Sequence, residues 1–263
     1  MKAVRETIVF LGGGRITSAI IEGLQRTGSQ HKIVVHDHHA NKLVKLRHRF
    51  QVRVETDLHR AVANATMLIV AVRADSVLAV LQRVGRIERP VAAISFAAGV
   101  PLAQLLGKLG PHAQWVRAMP SPACSRRRGL TALAFDPGAS ARVKKRVRTL
   151  FASIGSVLEI AERKFDAFTA TYSVSHGYHA LSALLSAAMT LGLDRRTAEI
   201  AAAHALADGI LCWRDGQVSL DHLLREAATP GGVAAAVISI EESGGYTRLV
   251  ERALRAGMAR ARR

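Results

Sequence analysis

Ile8-Val9-Phe10-Leu11-Gly12-Gly13-Gly14-Arg15-Ile16-Thr17-Ser18-Ala19 decides the reading of this chain. Thr7–Leu11 is apolar throughout its centre and ends in glycines, which reads as a buried strand running into a turn. Ile16, Ile20, Ile21 and Leu24 then recur at helical spacing over residues 16–27. Strand, glycine turn and helix in that order give the spacing G-x-G-x-x-G its meaning. Gly12 allows the tight turn, and Gly14 lets the backbone approach a pyrophosphate. The helix N-terminus that follows offers free N–H groups and the positive end of a dipole. Gly12, Gly13, Gly14, Arg15 and Ile16 are therefore expected to hold a dinucleotide. The third glycine position is Thr17, whose branched side chain is expected to loosen helix–strand packing or to demand a local shift.

Outward from this turn, short apolar runs alternate with helical patterns. Strands are expected at 32–36, 52–54, 67–72, 91–96, 114–119, 130–135 and 157–160. Helices are expected at 41–50, 57–64, 75–84, 101–109 and 140–154. Continuous runs such as Met67-Leu68-Ile69-Val70-Ala71-Val72 fit strands covered on both faces. The alternation implies a doubly wound, mostly parallel α/β sheet of Rossmann type over residues 1–162. Residues 163–263 contain no convincing strand and read as all-α, with helices at 168–191, 195–213, 220–228, 233–242 and 247–260. Thr229-Pro230-Gly231-Gly232 separates two of them. An apolar helical segment of about 100 residues is marginal alone, so it is expected to pack against a second copy as a homodimer or higher homo-oligomer.

The totals narrow the class further. No apolar run reaches the roughly 18 residues that span a bilayer, and Glu6 interrupts the N-terminal stretch, so a soluble cytoplasmic protein without signal peptide or membrane partner is expected. Cys124 and Cys212 lie outside any C-x-x-C and read as reduced thiols. The net charge is +17, but the basic residues are spread along the chain with few aromatics among them, so a nucleic-acid partner is not expected. Ser125-Arg126-Arg127-Arg128 reads as a solvated basic loop, with a site for an acidic substrate group as the alternative.

Asp37 ends the second strand about 20 residues after the glycines, where a carboxylate would grip the adenosine ribose hydroxyls. That favours NADH weakly over NADPH, although Lys42, Lys45 and Arg47 follow closely and offer a phosphate site. His36-Asp37-His38-His39 also has the composition of a metal cluster. Adjacent residues at a strand end point in different directions, so shared ligation is not expected and no metal is assigned.

With these residues in view, the chain resembles pyrroline-5-carboxylate reductase along nearly its whole length. The opening from Ile8 to Leu24 is similar to that family's first segment. Ile69-Val70-Ala71-Val72-Arg73 stands where the family has V-A-V-K-P, and Ile94-Ser95-Phe96-Ala97-Ala98-Gly99-Val100 resembles its I-S-I-A-A-G-V. Arg117-Ala118-Met119-Pro120-Ser121 resembles its R-x-M-P-N, and Thr229-Pro230-Gly231-Gly232 its S-P-G-G. The resemblance implies hydride transfer from NAD(P)H to the C=N carbon of a cyclic imino acid, in a dimer whose helical domains interlock and complete each active site. By position it places Ala71, Val72, Arg73 and Ala97 along the dinucleotide, and Met119, Pro120 and Ser121 beside the nicotinamide. It places Gly231, Gly232, Val233 and Ala234 with Ser121 at the substrate.

The substrate loop departs from the family's S-G-S-G-P-A-Y. Here it reads Tyr172-Ser173-Val174-Ser175-His176-Gly177-Tyr178, with only Tyr178 in register. Ala234 stands where the family has a threonine that would hydrogen-bond the substrate. An altered substrate specificity is therefore expected. Imine reduction needs a protonated nitrogen or an acid beside it. His176 takes the place of the family's proline and donates protons near neutral pH, with Tyr172 one helical turn earlier on the same face and Tyr178 and Ser175 close by. These are the catalytic candidates. A β-hydroxyacid dehydrogenase ranks lower because no lysine follows Lys164 to act as its base. A dinucleotide-binding protein without reductase activity is the remaining alternative.

Overall fold

Eight stretches, the central ones buried, pair into one sheet in a computed structural model that describes residues 5–216 and 218–261. Its strands are β1 (Thr7–Leu11), β2 (Lys32–His36), β3 (Arg53–Glu55), β4 (Met67–Val70), β5 (Val91–Ser95), β6 (Ala113–Pro120), β7 (Gly129–Phe135) and β8 (Gly155–Glu159). They lie in the order β3-β2-β1-β4-β5-β6-β7-β8. Neighbours are parallel except β6 and β7, the one adjacent pair joined without an α-helix. The sheet is thus mostly parallel and doubly wound, as the alternating pattern implies.

Helices cover both faces. α1 (Arg15–Gln25), α2 (Ala40–Phe50) and α6 (Ala141–Ala152) share one core with Ile8, Phe10, Met67 and Ile69. α3 (Leu58–Val62), α4 (Val77–Val84) and α5 (Leu102–Leu105) share the other with Val9, Leu11, Leu68 and Val70. Successive residues of one strand thus feed opposite cores, as the period of two requires. The expected helix over 101–109 shrinks to α5, because Leu106 leaves helical geometry and Gly107 and Gly110 adopt positive φ just beyond it.

Arg117 on β6 is buried in this unit. Its Nη1 donates to Glu162 Oε1 at 3.0 Å and its Nη2 to Asp166 Oδ1 at 3.0 Å. Its guanidinium also lies 4.2 Å from the Phe165 ring centroid. Glu162 Oε1 takes a second bond, from the Leu102 N–H. The cluster ties β6, the start of α5 and the chain leaving β8 together.

The remaining helices are α7 (Phe165–Thr171), α8 (Ser175–Thr190), α9 (Arg195–Asp215), α10 (Leu220–Ala227), α11 (Val233–Ser243) and α12 (Tyr246–Ala261). Residues 172–256 form a unit of their own, and residues 257–261 group with the sheet-containing unit. The single helix expected over 168–191 is broken between α7 and α8. No Gly or Pro stands there. Ser173 and Ser175 pair their hydroxyls at 2.7 Å, and Ser173 Oγ accepts from the Ser175 N–H at 3.4 Å. Such local bonds compete with the helical ladder. No helix among the described residues is long and apolar enough to cross a membrane.

Candidate functional site

At the carboxyl end of β1 the chain turns through Gly12, whose φ is +111°. A Cβ there would lie 2.6 Å from the Ala71 carbonyl oxygen, so the turn tolerates only glycine against the end of β4. Gly12 N–H donates to the His36 carbonyl at 2.8 Å, joining the ends of β1 and β2. Gly14 differs. It is the N-cap of α1, and a Cβ built on it would meet no protein atom within 4 Å. The space it leaves opens at the first turn of α1, where backbone N–H groups face outward.

Thr17 corrects the expectation made of it. It is fully buried, and its hydroxyl donates to the Gly12 carbonyl at 2.6 Å. The branched residue fastens the helix to the turn instead of loosening it.

Asp37 is the electrostatic centre of the site. Its Oδ2 accepts from the Gly13 N–H at 2.8 Å and from Lys42 Nζ at 3.4 Å, and its Oδ1 accepts from the His39 N–H at 2.8 Å. Burial pushes its pKa up, but the Gly13 and His39 amides and Lys42 outweigh that and hold it below the ordinary aspartate value. It is a carboxylate at neutral pH.

These residues surround a cleft of about 600 Å³. Gly12, Gly14, Asp37, Ala71, Val72 and Arg73 line it together. All six are expected there from the sequence. His36, His38, His39 and Lys42 line the β2 side. Leu58, Ser76, Val80 and Arg83 come from α3, α4 and the turn before α4, and the sequence reading missed them. Their signal was weak, since Arg83 looks like any exposed helical arginine until α4 is placed beside β4.

The other expected cofactor residues stand elsewhere. Arg15 is exposed and Ile16 packs toward the core. Ala97 is buried beyond β5, its N–H on Ser95 Oγ at 3.3 Å. Met119 packs against Ala132, Ala134 and Phe165, and Pro120 closes β6. Ser121 caps the following turn, accepting from the Ala123 N–H at 3.1 Å. Because β1, β4, β5 and β6 run parallel, these strand ends share the carboxyl edge that holds the cleft.

The catalytic candidates fall in the helical unit. Tyr172 is half-buried in the break before α8, and Ser175 and His176 open α8. Tyr178 is exposed one turn on. Tyr172 and His176 therefore do not share one helix face, since the break intervenes. Gly231, at φ +76°, and Gly232 form the turn that caps α11, with Gly232 N–H on the Thr229 carbonyl at 2.8 Å. Val233 and Ala234 follow, both exposed.

Cys124 and Cys212 form no disulfide. Burial pushes the Cys124 thiol up to about 12, which leaves it unreactive.

Residues 7–99 match the family model "NADP oxidoreductase coenzyme F420-dependent", and residues 162–263 match "Pyrroline-5-carboxylate reductase dimerisation". A pyrroline-5-carboxylate reductase of Mycobacterium tuberculosis is 30% identical over 97% of this chain and 95% of its own length. A solved pyrroline-5-carboxylate reductase of Coxiella burnetii is 26% identical, with a TM-score of 0.84 over 98% of each chain. A Plasmodium falciparum pyrroline carboxylate reductase solved with NADP bound shares the fold, with a TM-score of 0.86, 19% identity, and 98% of this chain and 97% of its own covered.

Proposed function

We propose that this chain, which belongs to the pyrroline-5-carboxylate reductase family, reduces the C=N bond of a cyclic imine with hydride from NAD(P)H. The observation that carries the reading is the cleft in which Gly12, Gly14, Asp37, Ala71 and Val72 meet at the carboxyl edge of the sheet. That edge is where parallel α/β sheets take nucleotides. The agreement with named reductases over 97% of the chain supports the reaction class.

Gly14 and the first turn of α1 face the pyrophosphate, and Asp37 faces the adenosine ribose. The Asp37 carboxylate repels a 2′-phosphate, which favours NADH, while Lys42 at 3.4 Å offsets part of that charge. The expected preference is modest, about tenfold or less, which corresponds to about 1.4 kcal/mol. A lower KM for NADPH than for NADH would overturn it.

His176 is the proposed proton donor to the imine nitrogen, with Tyr172, Ser175 and Tyr178 as its neighbours in sequence and Ser121, Gly231, Gly232, Val233 and Ala234 toward the substrate. With Ala234 in place of a hydroxyl-bearing residue, the substrate is a cyclic imine other than pyrroline-5-carboxylate, or that compound used weakly. The chain works as a homo-oligomer joined through its C-terminal helices, in keeping with the match of residues 162–263 to a dimerisation family.

The test is direct. Purified protein is mixed with NADH or NADPH and a panel of cyclic imines, and dinucleotide absorbance is followed. Turnover of at least one imine, with His176→Gln lowering kcat by about 100-fold, is the expected outcome for a general acid. Wild-type turnover by His176→Gln would remove the acid role.

A further inference from the structure

The sequence offered His36-Asp37-His38-His39 as a metal cluster and gave a reason against it: neighbours at a strand end point apart. The structure removes that reason. β2 ends at His36, and α2 does not begin until Ala40, so Asp37, His38 and His39 lie in a connection whose side chains converge. One ligand atom from each of Asp37, His38 and His39 lies within 4.8 Å of the others. The two imidazole centroids are 3.9 Å apart, and His38 Nδ1 is 3.7 Å from Asp37 Oδ1.

From this convergence the geometry points to a binding site for a divalent transition metal ion, held by Asp37, His38 and His39, that competes with the dinucleotide for the adenosine end of the cleft. The proposal rests on the reading of that cleft as a dinucleotide site.

Two nitrogens and one carboxylate oxygen suit zinc, cobalt or nickel. Bonds of about 2.0–2.2 Å at tetrahedral angles put ligand atoms about 3.4 Å apart. His38 Nδ1 and Asp37 Oδ1 are already near that separation. The remaining closure falls to His39, whose ring is exposed and turns without disturbing the core. Asp37 divides its work between its oxygens: Oδ2 stays on Gly13 and Lys42, and Oδ1, which accepts from the His39 N–H, lies 3.7 Å from His38 Nδ1. Glycine turn and ion thus do not contend for one oxygen. His36 is not among the converging residues, and its Nδ1 pairs with the Glu55 carbonyl at 3.0 Å. Three protein ligands leave a fourth, tetrahedral position open to water.

Competition follows from placement. Asp37, His38 and His39 all line the cleft, and an ion among them occupies the carboxylate that the ribose would use. Each ligand then lowers the affinity of the other by the same factor.

Cobalt(II) is titrated into untagged, full-length protein, followed by its visible absorption and by calorimetry. Saturable binding of one ion is expected, with apparent affinity falling as NADH or NADPH is raised. Losing a group that merely hydrogen-bonds to a ligand costs about 10- to 100-fold in metal affinity, so the double variant His38→Ala/His39→Ala should lose at least that much. The His204→Ala variant, which removes a separate histidine paired with Asp208, should bind cobalt as the wild type does. Unchanged binding by the double variant, absence of binding by the wild type, or a cobalt affinity indifferent to bound dinucleotide would each overturn the proposal. If no dinucleotide binds, the reading of the cleft fails instead, and the double variant still decides the ion site.

Discussion

Ile8, Val9, Phe10 and Leu11 have no exposed surface, whereas Leu191, Val233 and Ile240 are 86%, 85% and 73% exposed. The first group lies in the sheet-containing unit and the second in the helical unit. The sheet closes two cores within one chain, one on each face. In the helical unit, α8, α10 and α11 contain no buried residue at all. Exposed apolar area on this scale marks an interaction surface. Charge divides the same way. Residues 172–256 hold seven arginines, no lysine and nine carboxylates, so the net +17 of the chain comes wholly from the rest. The half which would bind an anionic dinucleotide is thus self-sufficient and basic, while the other half leaves its apolar faces open to a partner.

The largest test of that contrast is Arg117→Met. Removing one partner of a buried ion cluster costs about 3–5 kcal/mol. Urea denaturation should show a loss in that range for the sheet-containing unit. A loss under about 1 kcal/mol would mean that the cluster does not hold this unit together.

A smaller loss should follow from Glu6→Gln. Glu6 accepts from Arg146 Nε at 2.7 Å and Nη2 at 2.6 Å and from the Thr66 hydroxyl at 2.6 Å. Burial raises its pKa, but the Arg146 and Thr66 bonds prevail and leave it below its ordinary value of 4.5. A depressed carboxylate stabilises the fold above its unfolded pKa and stops doing so as pH falls through its folded one. The variant should therefore lose about 2 kcal/mol at pH 7, with the gap to wild type closing below about pH 4. A gap independent of pH would contradict the ion pair. His31 adds to the acid sensitivity: burial chiefly lowers its pKa, so stability falls as pH drops below 6.5.

Gly12→Ala tests the turn itself. Left-handed backbone without glycine costs about 1–3 kcal/mol, and the new Cβ meets the Ala71 carbonyl. Fluorescence titration should show dinucleotide affinity falling by about tenfold or more, since 1.4 kcal/mol is a factor of ten. Unchanged affinity would break the link between turn and cleft.

The smallest effect on folding is expected from Ile240→Glu. An exposed position changes chain stability by no more than about 0.5 kcal/mol. Light scattering should nonetheless show a smaller assembly. An unchanged assembly would remove Ile240 from the covered surface.

Much of this was legible in the sequence because it rests on local pattern. β1, the glycine turn and α1 announce themselves within twenty residues, and Met67-Leu68-Ile69-Val70 reads as a doubly covered strand. The break between α7 and α8 was not legible, because two serine hydroxyls in an apolar helical pattern leave no mark as strong as proline. The Arg117 cluster was hidden by separation, with its carboxylates 45 and 49 residues away. Thr17 was misjudged because its hydroxyl has a partner, the Gly12 carbonyl, that only the folded turn presents. Within the candidate site, the residues just beyond β1, β2 and β4 are readable from their motifs, and those on α3 and α4 are not.

Hydride transfer from dinucleotide to a C=N carbon is the step on which the proposed reaction stands. It is tested most directly by incubating the protein with dinucleotide deuterated at the transferable position and a panel of cyclic imines, and analysing the products by mass spectrometry. Deuterium is expected on the former C=N carbon of at least one product, formed more slowly by Gly12→Ala at sub-saturating dinucleotide. Tight dinucleotide binding with no labelled amine from any imine would contradict it.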